Sequence, residues 1–188
     1  MVGGRVVERG ARQNTGLLHG GLHKLKSMGD DEKYALAMTL IDHGLSAQEN
    51  GDIDKAIELY RQSLEVCPTA EGHTFLGWAL SYKGRLDEAI KHCRDAIALD
   101  PDFGNPYNDI GVYLMQRNDL DAAIPWLEQA KLAPRYEPRH FPFLNLGRIY
   151  MARGELQRAI HELEGALQIV PGDEEIRQIV AGLRAKLN

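Results

Sequence analysis

The sequence predicts an all-α helical solenoid of stacked antiparallel helix pairs, and three observations carry that prediction. The first is an internal repeat: Gly44, Gly77, Gly111 and Gly147 stand 33, 34 and 36 residues apart, a period that belongs to stacked helix-turn-helix units. The second is that other positions keep step with these glycines. Seven residues after each comes Gly51, Gly84, Asn118 or Gly154, and five further on Ala56-Ile57, Ala89-Ile90, Ala123-Ile124 or Ala159-Ile160. The third is that every unit closes alike, on Ser63, Ala96, Ala130 or Ala166 followed by Pro68, Pro101, Pro134 or Pro171.

Each position has a physical reason. In the second unit, TFLGWALSYKGRLDEA carries apolar residues three and four apart, as one face of a helix requires. Gly77 and Ala89 are expected on facing helices whose backbones approach closely, where a larger side chain would cost roughly 1 to 3 kcal/mol of overpacking. Gly84 falls between the helices, where a positive φ is needed that Gly or Asn adopts cheaply; Asn118, the one replacement, fits that role. The closing prolines end each second helix, because the residue before a proline is pushed out of the α region. Each helix is therefore about 12 to 15 residues, roughly 20 Å long. The units run over about residues 37–69, 70–103, 104–139 and 140–173, within a repeat region spanning 30–173.

The third and fourth units, PYNDIGVYLMQRNDLDAAIPWLEQAKLAP and FPFLNLGRIYMARGELQRAIHELEGALQIVP, show a large apolar residue, an apolar-Gly pair, Tyr, then Ala, an aromatic or Leu, Ala and Pro. This pattern resembles the tetratricopeptide repeat family, and the resemblance covers residues 37 to 173. It implies a right-handed solenoid whose first helices line a concave surface. Three residues depart from the family pattern: His43 stands where the family has Leu, Ser63 where it has Ala, and Cys93 where it has an aromatic. Looser packing is expected in the first two units on that account.

An open-ended solenoid needs caps, since each unit touches only its neighbours. DEEIRQIVAGLRAKLN supplies one at the carboxyl end. Asp173 is expected to cap the helix, Glu174 and Glu175 to favour its dipole, and Ile176, Ile179, Val180, Leu183 and Leu187 to form one apolar stripe over the fourth unit. Residues 174–188 are thus a capping helix. Two irregularities lie nearby. Pro125 falls inside a second helix, where it removes one hydrogen bond. The linker APRYEPRHFP is longer than its counterparts and holds three prolines; it reads as a tolerated loop, with a change of curvature as the alternative. Pro142 can open the next helix.

Residues 1–29 are a different kind of chain. Seven glycines and a charge of +4, against −5 for the whole protein, leave −9 on the remainder. Such a basic, Gly-rich tail buries too little apolar surface to offset the entropy of ordering it, so a flexible, solvated tail is expected. An anchor for anionic surfaces is the functional alternative. Met28 is a candidate natural start, since the first helix follows it directly.

Composition excludes several functions. A hydrophobic share of 44% with 26% charged residues is ordinary globular usage. No apolar run is long enough to span a membrane and no apolar segment follows the amino-terminal charges, so a cytoplasmic location is expected. Cys67 and Cys93 lack any CxxC spacing and read as reduced thiols. There is no GxGxxG, GxxxxGK, GxSxG or HExxH, and His161-Glu162 lacks the second His of a zinc helix. His19 and His23, the pair at helical spacing, lie in the tail. Hence neither catalysis, nor a cofactor, nor a metal is expected. A body at −9 would repel phosphates, so nucleic acid is not an expected partner.

What remains is the concave face that the resemblance implies. Carried over residue by residue, its lining includes Trp78 and Tyr82 from the second unit. Asn105, Asn108, Val112 and Met115 come from the third, and Phe141, Leu144, Arg148 and Met151 from the fourth. Rigid aromatics and adaptable thioethers suit an apolar strand or helix. Asn105 and Asn108 would hold a peptide backbone and Arg148 would fix its direction. Trp78 and Phe141 are equally readable as packing residues. Family members that clamp the acidic tail of heat-shock chaperones use Lys, Asn and Arg. The matching positions here are Ile41, Leu45, Phe75, Asn105 and Asp109, or Thr74, Trp78, Asp109, Phe141 and Asn145, so no chaperone-tail binding is expected. The expectation is a non-catalytic adaptor that binds a protein or peptide. The alternatives are a homo-oligomeric scaffold, and a pilus-assembly factor, which NPYNDIGVYLMQ and FLNLGRIY resemble.

Overall fold

The computed structural model describes Leu25 and residues 27 to 187. The expectations for the tail, including those on His19, His23 and most of residues 1–29, fall outside that range. Helices follow in the order α1 (Asp30–Glu49), α2 (Ile53–Val66), α3 (Ala70–Tyr82), α4 (Leu86–Leu99), α5 (Asn105–Gln116), α6 (Leu120–Leu132), α7 (Phe141–Ala152), α8 (Leu156–Ile169) and α9 (Glu174–Leu187). Among the described residues the strand geometry is confined to one bridge, Phe103 with Arg135. The described residues form an all-α solenoid of four helix pairs and a final helix.

Local chemistry starts and stops these helices. Asp52, Thr69 and Asp173 each accept a hydrogen bond from the backbone N–H three residues on, which satisfies a donor that a helix start leaves free. Between the helices of each pair, Gly51, Gly84, Asn118 and Gly154 have φ of 81°, 70°, 60° and 73°, the left-handed region that Gly and Asn tolerate. Pro106 and Pro142 sit in the first turns of α5 and α7, where the missing N–H costs nothing. α6 continues through Pro125 to Leu132. The first helix, at 20 residues, is longer than the spacing predicts.

Small residues set the spacing within a pair. Ala56, Ala89, Ala123 and Ala159 have no exposed surface. A Cβ at Gly77 would lie 3.1 Å from the carbonyl oxygen of Ala89, so the two backbones of the second unit touch directly. Leu76, Ile110 and Leu146, each just before the repeat glycine, are at most 1% exposed. His43 holds the same position in the first unit and is exposed, because no unit precedes it among the described residues. Ser63 is fully buried, and its hydroxyl donates to the carbonyl of Ala37 at 2.9 Å. Cys93 is fully buried as well, and burial pushes its thiol well above the ordinary range. Neither position is an exposed or unsatisfied one.

Successive helices pack on one another along the whole chain, and α9 lies against α8 through Ile176, Val180 and Leu183. Leu187, at the end of the expected stripe, is 47% exposed. Helices two places apart also meet: α1 with α3, α3 with α5, and α5 with α7. The first helices therefore form a continuous inner layer, as they must when a row of pairs bends toward them.

The linker between α6 and α7 is tied down. Tyr136 is buried against Ala130 and Ala133, with Tyr107 beside it. Gly104 N–H donates to the carbonyl of Arg135 at 2.9 Å, and Arg135 N–H to that of Asp102 at 3.0 Å. The Arg135 guanidinium reaches Asp100, pairs with Glu71 at 2.9 Å and lies over the Phe103 ring at 4.2 Å. This segment links the second, third and fourth units.

Candidate functional site

Of the large apolar side chains that reach the surface among the described residues, the aromatic ones all belong to first helices: Tyr34, Trp78, Tyr82 and Phe141. The exposed aliphatic ones, Leu99, Leu132 and Ile169, stand two residues before the closing prolines of second helices, and Leu187 ends α9. Trp78 and Tyr82, 39% and 60% exposed, lie one turn apart on α3 with ring centroids 5.9 Å apart. Behind them the half-buried Phe75 sits 6.4 Å from Trp78 and stacks on buried Tyr60 at 5.8 Å. The aromatic run thus extends from the core of the first pair to the surface of the second, which fixes the outer rings.

The remaining predicted residues fall into three groups. Val112, Met115, Leu144 and Met151 are half-buried and pack against the core. Phe141 is 43% exposed beside the His140 ring, and Arg148 is exposed, its Nη1 donating to Asn145 Oδ1 at 3.4 Å. Asn105 is half-buried at an open cleft of about 440 Å³ that Phe103, Pro134, Arg135, Tyr136 and Glu137 also line. Asn108 is engaged within the fold: it is 8% exposed, and its Oδ1 accepts a 3.0 Å hydrogen bond from Asn145 Nδ2 of the next unit. That bond joins two first helices across a unit boundary. Asn145 thereby belongs to the same layer as Asn108, marked in the sequence only by an amide two residues before Gly147.

Asp109, next to Asn108, has its pKa raised to about 7, first by burial and against the hydrogen bond from Asn108. It retains a little accessible surface, yet it brings negative charge close to Cys93, Tyr113 and Tyr136. Elsewhere some ions pair within the fold. Lys131 bridges Glu128 and buried Glu162, each at 3.0 Å, and lies over Phe143 at 4.6 Å. Glu162, noted in the sequence beside His161, is thereby a structural partner of the preceding unit. Among the described residues, His73, His92 and Asp95 come close enough together to share one cation. No described helix is long and apolar enough to cross a membrane.

Models of the tetratricopeptide repeat match residues 41–103 and 143–177. Among curated proteins, the chain is similar to photosystem I assembly protein Ycf3 of Prochlorococcus marinus strain MIT 9215, 32% identical over 117 residues, covering 56% of this chain and 68% of that protein. Among solved structures it is similar to PilF of Pseudomonas aeruginosa, with a TM-score of 0.76 at 22% identity over 82% of this chain and 70% of that one. It is also similar to MamA, with a TM-score of 0.64 at 25% identity over 76% and 83% of the two chains.

Proposed function

Because the chain belongs to the tetratricopeptide repeat family, we propose that it is a non-catalytic adaptor that holds an apolar strand or helix of another protein against its row of first helices. The observation that carries this reading is the segregation of exposed aromatic rings to that row, with Trp78 and Tyr82 held by Phe75 behind them. Pre-ordered aromatic side chains contribute contact area without losing much rotamer freedom on binding. Phe141, Leu144, Met151 and Arg148 extend the same surface into the fourth unit, with Val112 and Met115 between. Asn105 supplies a backbone-directed amide at its rim. The similarity to a protein named for photosystem I assembly supports a role in which the captured polypeptide is delivered to a larger complex. A single exposed arginine, Arg148, among these residues is fewer cations than a carboxylate clamp uses, which argues against an acidic tail as the guest.

The test compares wild type with a Trp78→Ala/Tyr82→Ala double variant in capture from native lysate, each bound protein being identified and its affinity then measured with purified material. Both side chains are exposed, so the variant should keep its stability to within about 1 kcal/mol, whereas half-buried Met115 is a poorer probe because its loss opens the core. The expected result is a partner retained by wild type and weakened at least tenfold by the variant. Equal binding by both proteins removes this surface as the site.

A further inference from the structure

On the second unit, away from the residues of the aromatic row, two imidazoles and a carboxylate converge from two helices. His73 on α3 and His92 on α4 place their Nδ1 atoms 3.0 Å apart, with rings tilted by 35°. Asp95, one turn after His92 on the same face of α4, has Oδ2 3.9 Å from His73 Nδ1. The three donor atoms all lie within 4.8 Å of one another, and all three residues are half-buried. Donor atoms that share a transition-metal ion at about 2.1 Å lie roughly 3 to 4.2 Å apart. The Nδ1 pair has the separation of neighbouring ligands, and Asp95 Oδ2, 3.9 Å from His73 Nδ1, falls within the same range.

Protonation favours the ligand form. Burial lowers both histidine pKa values, for His92 with the added effect of His73, and Asp95 acts in the opposite direction on each. Lys91 and Arg61 push His92 further down, and Glu88 lies near it. Neutral imidazole is the form that coordinates a metal. Two imidazoles with one carboxylate leave positions open for water or an outside ligand, a donor set that suits Zn²⁺ and its neighbours in the first transition row rather than Ca²⁺ or Mg²⁺.

We propose that His73, His92 and Asp95 form a binding site for a divalent transition-metal cation of the Zn²⁺ class, which ties α3 to α4 in the second unit. The sequence conceals it because the histidines are 19 residues apart and belong to no linear motif. The site is independent of the proposed guest surface, and neither proposal requires the other.

Chelator-treated full-length protein is titrated with Zn²⁺ by calorimetry and with Co²⁺ by visible absorption. His92→Gln and Asp95→Asn are compared with wild type and with a His19→Ala/His23→Ala variant that removes the tail pair. One equivalent should bind to wild type and to the tail variant, with a rise in Tm. His92→Gln and Asp95→Asn should each weaken binding at least tenfold and abolish the Tm rise. Asp95 is 45% exposed in its side chain, so its isosteric replacement keeps the fold, and circular dichroism checks this. Absence of binding at micromolar metal overturns the proposal, as does binding that survives both replacements or disappears in the tail variant alone.

Discussion

Asp109 is the residue at which folding has the clearest cost. Its carboxyl is raised to about 7 by burial, while in the unfolded chain it titrates near the ordinary value of about 4. Below the unfolded value both states hold the proton and nothing is lost. As pH rises through that value and on through 7, the unfolded chain has released a proton that the folded state must keep or exchange for a buried charge. Stability conferred by the protonated form is lost over that window. Because the side chain keeps some accessible surface, the loss is smaller than full burial would give. Asp109→Asn is expected to be more stable than wild type by about 1 to 2 kcal/mol at pH 8, with the difference narrowing toward pH 5. Urea unfolding at the two pH values measures it, and a difference that does not change with pH would refute the assignment.

At the scale of an element, the turn inside each pair is set by backbone geometry alone. A Cβ added at Gly84 would meet no atom within 4 Å, so the cost of a side chain there is the left-handed conformation itself. Gly84→Ala should destabilise by about 1 to 2 kcal/mol, and Gly84→Asn by clearly less, since Asn118 holds φ 60° in the third unit. Equal stability of the two variants in urea would show that the turn does not hold its conformation. The linker before α7 behaves differently. Its length and prolines read as a tolerated loop, but Tyr136 and Arg135 anchor it to residues as distant as Glu71. That role was invisible in the sequence, because Arg135 and Glu71 are 64 residues apart and become neighbours only once the third unit is stacked on the second.

At the scale of the molecule, stability runs along the row, each unit supported by its neighbours. The final helix α9 packs on α8 through Ile176, Val180 and Leu183, and a capping role for it is testable. Truncation after Gly172 should lower stability by about 2 to 4 kcal/mol and, by baring apolar surface, cause self-association. Thermal melting and light scattering of the truncated chain measure both; an unchanged melt would mean that α9 is not a cap. Between units, the Asn108–Asn145 bond and the Lys131–Glu162 pair fix one helix pair against the next.

The repeat period, the turns, the closing prolines and the carboxyl-terminal helix were all legible in the chain, because every unit asks the same short-range question of the same positions. A glycine must admit a backbone, a residue must take positive φ, a helix must end. Which rings stay exposed and where Asn108 finds its partner were settled only by stacking, and how His73 meets His92 and Asp95 only by the packing of the two helices of one unit. Those contacts depend on the rotation of one pair against the next and on side-chain packing across helices, quantities that no local spacing of residues encodes.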